Sequence, residues 1–203
     1  MSNLVTTIAE LEGLYGEAVP TSLLKEIDHI TADYAQHIAA SPFVILATSG
    51  PEGLDCSPRG DPAGFVRVVD EKTLMMPDRR GNNRLDSLRN IVVDPRVGLL
   101  FLIPGSGVTM RVNGRAILST DNDLRTSFAM GDKVPTCVIV ITVDSVYTQC
   151  AKAVVRSKLW DPNSHIDPKE LPSVGAMMQQ LSSEFDGAAY DAGYPERLKQ
   201  TIY

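Results

Sequence analysis

Pro77-Asp78-Arg79-Arg80-Gly81-Asn82-Asn83-Arg84-Leu85-Asp86-Ser87-Leu88-Arg89-Asn90 is the stretch on which the reading of the fold turns. The run Thr73 to Met76 before it has strand character and stops at a proline. A turn rich in glycine and asparagine follows, and Leu85, Leu88 and Ile91 then recur at helical spacing, which predicts a helix over about 83–93. Around this helix start sit Arg79, Arg80 and Arg84, with Asn82, Asn83 and Ser87. A helix start presents unpaired backbone N–H groups and the positive end of a dipole. Guanidinium forks match phosphate oxygens. The stretch therefore predicts a phosphate site. Read one residue at a time, the same arginines are better explained as solvated loop charges paired with Asp78 and Asp86; it is the turn, the helix start and the neighbouring motifs together that favour a ligand.

The charge pattern around this stretch narrows the ligand. The 203-residue chain carries a net charge of −6. From Arg59 to Arg125 there are eleven Lys/Arg against eight Asp/Glu; the remainder has eight against seventeen. Ten of the twelve arginines lie in that central segment. A nucleic-acid surface needs a larger positive excess to release counterions, whereas a confined anion site needs only a few guanidinium groups. The pattern favours a phosphorylated small molecule over nucleic acid. Cys56, Cys137 and Cys150 are odd in number and lack CxxC spacing, so neither a disulfide framework nor a zinc site is expected. The first residues show no secretory pattern and no apolar run is long enough to span a bilayer, which predicts a cytoplasmic protein without a membrane partner.

Outward from the arginine turn, periodicity predicts helices over 3–16 and 28–40, with Pro20 as a breaker between them. Phe43 to Thr48 reads as a strand, and the turn Ser49 to Gly53 as a hairpin into Leu54 to Ser57. Pro58 to Gly64 reads as an irregular connection. Phe65–Val69, Thr73–Met76, Val97–Ile103, Val108–Leu118 and Thr136–Gln149 read as further strands. Asp121 caps a short helix through Met130. Helices are expected over 151–159 and 174–185, with a proline-rich loop over 161–172. Six or seven short strands joined by turns favour a barrel over a parallel sheet. One domain over 1–203 is expected: N-terminal helices over 1–42, a barrel core over 43–150 and a helical segment over 151–203.

Several segments together carry a resemblance. Ser57-Pro58-Arg59-Gly60-Asp61-Pro62, Gly64-Phe65-Val66-Arg67-Val68, the Pro77–Asn90 run, Asp94-Pro95-Arg96-Val97-Gly98-Leu99-Leu100-Phe101, Met110-Arg111-Val112-Asn113-Gly114-Arg115 and Cys150 to Pro162 resemble the FMN-binding split-barrel superfamily. More narrowly they resemble the pyridoxamine 5′-phosphate oxidase-related flavoproteins of bacteria, over about 43–162. The resemblance implies an α+β fold, a six-stranded antiparallel split β-barrel with flanking helices. It implies a homodimer with one FMN in each of two interface clefts. Met75 to Asp78, hence Met76, Pro77 and Asp78, would line the flavin. Asn83 and Arg84 match positions that grip the phosphate, where Arg-Lys is usual; Asn83 departs from that pattern, so Arg79, Arg80 or Arg67 would supply the missing charge. Ser87 would lie near the phosphate. Trp160, with Arg156 and Ser157, would reach the flavin, from the partner subunit in one arrangement. Arg59 and Lys152 would tune the ring's N1–O2 edge.

The same residues admit plainer roles. Arg59 is either a loop stabiliser bonded to Asp61 or a ligand. Arg67 is either a surface charge or a phosphate contact. Arg111 suits a cross-strand pair with a carboxylate, and Trp160 a loop cap on the core. Cys150, Met75-Met76 and Met177-Met178 read as buried apolar residues, and His29, His37 and His165 as surface groups. The function expected is an FMN-dependent oxidoreductase acting on a small substrate. The rivals are a non-catalytic flavin store or redox sensor, and pyridoxamine 5′-phosphate oxidation itself, for which no second phosphate site is visible. No histidine is placed to ligate haem.

Overall fold

Residues 43–60 fold back on themselves as β1 (Phe43–Gly50) and β2 (Gly53–Gly60), paired from Gly50 opposite Gly53 out to Phe43 opposite Gly60. A two-residue loop between alternating segments is the usual hairpin signal. In the computed structural model, which describes residues 4–203, this hairpin opens a seven-stranded antiparallel sheet. The other strands are β3 (Arg67–Asp70), β4 (Thr73–Pro77), β5 (Arg96–Leu102), β6 (Thr109–Ser119) and β7 (Val138–Gln149). The order is β2-β1-β5-β6-β7-β4-β3, so the sheet does not close and both β2 and β3 are edges. The antiparallel α+β architecture is as expected, with one strand more than the six implied.

The core sits on one face of this sheet. Val44 and Leu46 of β1, Val97, Leu99 and Phe101 of β5, Met110 and Val112 of β6, and Ile139 and Ile141 of β7 alternate with more exposed neighbours. The alternation slips on β7, where Val143 and Val146 are both buried. A bulge there opposes Asn113–Gly114 to Val143–Ser145. A Cβ at Gly114 would lie 2.2 Å from the Thr142 carbonyl oxygen, which is why that position is glycine.

The helices are α1 (Ile8–Tyr15), α2 (Pro20–Leu24), α3 (Ala32–Ala40), α4 (Asp86–Val93), α5 (Asn122–Ser127), α6 (Lys152–Ser157), α7 (Val174–Leu181), α8 (Gly187–Ala192) and α9 (Tyr194–Thr201); α3 and α4 pack on the sheet, and α7 to α9 on one another. The expected start of the first helix at residue 3 lies outside the described residues. Pro20 does not merely interrupt; it begins α2, where its missing N–H costs nothing. Pro58 does not end a strand either. It lies inside β2, an edge strand that needs no donor on its open side. α4 starts at Asp86, three residues later than predicted. Leu85 becomes its exposed left-handed N-cap rather than a core residue, while Ser87 and Ile91 face inward.

Three expected core residues lie at the surface. Cys150 is exposed, and Met177 and Met178 of α7 are 47% and 41% exposed. α7 instead packs on α8 glycine to glycine: a Cβ on Gly175 would meet the Gly187 carbonyl at 2.1 Å. Among the described residues no helix is long and apolar enough to cross a membrane, and no group of three His, Cys, Asp or Glu could hold a metal ion.

Candidate functional site

Strand alternation on β2 turns Asp55, Ser57 and Arg59 to one half-buried face, while Cys56, Pro58 and Gly60 are exposed. From there Arg59 reaches the end of β4 and the first turn of α4. Its Nη1 donates to Asp78 Oδ1 at 2.6 Å and its Nη2 to Ser87 Oγ at 3.1 Å. Ser87, buried on α4, donates in turn to Asp55 Oδ2. The chain Asp55–Ser87–Arg59–Asp78 therefore ties β2, β4 and α4 together. One donor in it is left over: Arg59 Nε is buried without a hydrogen-bond partner among the described residues. An unmet buried donor costs about 1–3 kcal/mol, more when charged.

The start of α4 is also unfinished. Leu85 makes no side-chain cap, so the first amides of the helix have no side-chain acceptor at the N-cap. Asn83 and Leu85, at φ 60° and 64°, both adopt the left-handed conformation, which asparagine tolerates and leucine rarely visits. Between them Arg84, whose side chain is 75% exposed, donates from Nε to Asp86 Oδ2 at 2.9 Å, and its amide meets Asn82 Oδ1 at 3.1 Å. Asn82 and Asn83 are exposed beside it.

The remaining predicted arginines go elsewhere. Arg79 Nε donates to Asp61 Oδ2 at 2.6 Å and its Nη1 to the Phe128 carbonyl at 2.7 Å. Arg67 lies over the Phe128 ring, 3.6 Å from its centroid, and its Nη1 donates to Ser127 Oγ at 2.9 Å. With Pro62, Gly64 and Met130 they line a cavity of about 180 Å³. Tyr203 joins this cluster by donating to Asp61 Oδ1 at 2.9 Å. The carboxylate assignments thus exchange: Asp78 pairs with Arg59 and Asp61 with Arg79, where the sequence suggested Arg59 with Asp61. Arg80 is exposed.

The C-terminal candidates form a third group. Lys152 opens α6 and Arg156 lies in its last turn, both exposed; Ser157 donates to the Val154 carbonyl within the helix. Trp160 Nε1 donates to the Ser106 carbonyl at 2.7 Å, so the indole caps the β5–β6 turn. None of their side-chain hydrogen bonds reaches α4 or β4 among the described residues. Met76 is wholly buried in the core and Pro77 is buried opposite Val138. Met76 is part of the core cluster, while Asp78 is the residue of this trio bonded to Arg59. Next to it, burial and then the Asp78 carboxylate push the Cys137 thiol up to about 11, which keeps it protonated and unreactive.

Arg111 makes no carboxylate pair among the described residues. It packs over the ring of its cross-strand partner Tyr147, 5.3 Å from the centroid, on the outer face of the sheet. There Ile45, Leu100, Arg111, Asn113 and Gln149 line a shallow depression of about 220 Å³.

Asp55 has no place in the sequence reading, and Asp61 appears there only as a partner for Arg59. Asp55 stands four residues before Arg59, which in a strand is the same face, but reading Pro58 as a breaker hid that relation. Asp61 carried no comparable signal for Arg79, because that pairing is made between loops.

Comparison with known proteins follows the same lines. The family model for pyridoxamine 5′-phosphate oxidase matches residues 30–150. No curated protein matches the chain. Among solved structures, HupZ of Group A Streptococcus is 20% identical over 60% of this chain and 94% of its own, with a TM-score of 0.50, which shows a shared fold. A Lactobacillus delbrueckii protein provisionally named a pyridoxamine 5′-phosphate oxidase is 20% identical over 60% of this chain and 95% of its own, with a TM-score of 0.48. An FMN-binding protein of Syntrophomonas wolfei is 8% identical over 63% and 90%, with a TM-score of 0.45. With more than half its length matched, and with the antiparallel sheet in place, this chain belongs to the pyridoxamine 5′-phosphate oxidase family.

Proposed function

We propose that this protein binds FMN, with the phosphate held at the start of α4, and acts as a homodimeric FMN-dependent oxidoreductase on a small substrate. One observation carries the reading: a buried guanidinium, Arg59, keeps an unpartnered Nε beside a helix start that lacks a cap. Both features are unmet donors, and a phosphate dianion is an acceptor of matching charge. Arg59, Arg84 and the first amides of α4 would hold it, with Ser87 and Asp55 keeping Arg59 in place. Each charge-assisted bond contributes about 1.5–3 kcal/mol net. The carboxylates of Asp78 and Asp86 keep the two arginines oriented and the site close to neutral, which limits it to a ligand able to compete for guanidinium groups.

When bound, the isoalloxazine supplies hydride or electron transfer. This chain's residues bind and orient. The outer sheet face, with Ile45 and Leu100 half-buried, supports contact with a second copy, and the Lys152–Trp160 group is available to the partner's cleft. Purified protein should absorb near about 450 nm and bleach on reduction, as bound flavin does. A colourless protein that FMN cannot reconstitute overturns the reading.

A non-catalytic flavin store is the second reading. It is favoured by the side chains bonded to Arg59, an aspartate and a serine, with no histidine among them. Turnover with NAD(P)H and an acceptor that does not exceed that of free FMN would select it.

A further inference from the structure

We infer that the N-terminal arm, residues 4–24, docks across the outer face of α4 of a second copy of this chain. The arm is well encoded locally. Thr7 and Glu10 form a reciprocal capping box at the start of α1, and Gly16, at φ 71°, ends it with its amide on the Glu12 carbonyl. Yet α1 has eight residues and α2 five, and neither contains a buried residue. Isolated helices shorter than about 12–15 residues are marginal in water and owe their stability to packing of an apolar face. Leu4, Ile8, Leu11 and Tyr15 form such a face, between 42% and 81% exposed. Among the described residues the arm is anchored where it ends: Ile27 pairs with Val146 of β7, and the Tyr34 hydroxyl holds the Lys25 carbonyl.

Three exposed apolar faces could receive it, and charge separates them: on α9, Tyr194, Leu198 and Ile202 are exposed, but Lys199 is paired with Glu196 and Arg197 is held on Tyr190. The arm carries Glu12 and Glu17 with no cationic partner among the described residues, and no lysine or arginine before Lys25. On α7, Val174, Met177, Met178 and Leu181 are exposed without a single charged residue in the helix. On α4, Leu85, Val92 and Val93 are exposed at 46%, 74% and 63%; Arg84 there is paired with Asp86, so Arg89 is the cation this face offers. Arg89 has no ion-pair partner among the described residues. An acidic, apolar helix face thus meets a basic, apolar one. A twofold axis makes the exchange twice, so each copy covers the other's α4. The arm then also screens the start of α4, where the phosphate is proposed to sit.

The inference rests on the homodimer of the proposed function but not on its flavin. The test uses two full-length chains with different tags, each with the exposed Cys56 and Cys150 replaced by serine. One carries Ile8→Cys, the other Val92→Cys; they are mixed, oxidised and resolved by mass. A disulfide between the two tags is expected. Arg89→Glu should slow its formation about fivefold, the size of one exposed ion pair, and Glu12→Arg in the other chain should restore it. If sedimentation shows a dimer but Ile8→Cys fails to link, or links to Met178→Cys instead, the arm's placement is wrong while the dimer stands. A link confined to one chain carrying both cysteines also overturns it. A monomer overturns both. Flavin absorbance of the same samples reads the cofactor separately.

Discussion

Arg59 and Arg79 are near twins that do different things. Each is about four-fifths buried, at 19% and 18% side-chain exposure, and each meets an aspartate at 2.6 Å. Arg79 is finished: its Nε is on Asp61, its Nη1 on the Phe128 carbonyl, and its carboxylate is 2% exposed. Arg59 is not, because its Nε points at nothing and the helix beside it lacks a cap. A satisfied buried pair is a strut between loops. An unsatisfied one is a donor open to an acceptor, which the proposed function assigns to the FMN phosphate. Residue type and pairing distance do not separate the two roles; the accounting of every N–H does.

The comparison is sharpest when each arginine is removed. Arg79→Ala leaves Asp61 buried and short of its main partner, so thermal or urea unfolding should show a loss of about 3 kcal/mol, with FMN affinity unchanged. Arg59→Ala should do the reverse to the cofactor: a loss of about 1.5–3 kcal/mol in FMN binding, roughly ten- to a hundredfold in Kd by fluorescence titration. If the two variants give the same pattern, the distinction between strut and donor fails. Arg84→Ala removes a mostly exposed group already engaged by Asp86, so its effect on FMN affinity should be about two- to fivefold. An Arg84 effect larger than that of Arg59 would move the phosphate outward, away from Ser87.

The smallest effect concerns the strut's outer partner. Tyr203 donates to Asp61, and that bond holds its hydroxyl above the ordinary value of 10.0. A raised folded-state value means stability that is present below about pH 10 and lost as pH rises through the raised value. Tyr203→Phe should therefore lower the melting temperature slightly at pH 8, and the difference from the parent should shrink as pH rises through the raised value.

Much of the architecture could be read in one dimension. The strands from Thr73 onward, the β1–β2 hairpin and the turn at Gly105 follow from alternation and from glycine placement, which are local. Errors cluster at prolines and at helix starts. Pro58 and Pro20 were read as breakers because their cost depends on whether a strand is an edge or a residue is first in its helix, and neither is a local property. The predicted start of α4 was early because Leu85 has helical spacing but a left-handed backbone. Of the site, the arginine-rich stretch was visible as a concentration of charge, and Ser87 as a residue in the helix's first turn. Its division into separate groups around Arg59, Arg79 and Trp160 was not.

The amino-acid order alone determined that there would be short strands joined by turns between helices, an arginine-rich turn entering a helix, and a helical N-terminus, because periodicity, capping and composition act over a few residues. Only the tertiary structure decided which aspartate each arginine meets, which guanidinium is left wanting, and that the first two helices bury nothing in their own chain. Those outcomes depend on strand order and on where loops from distant segments converge, and hydrogen-bond satisfaction is a property of the assembled neighbourhood rather than of any residue in it.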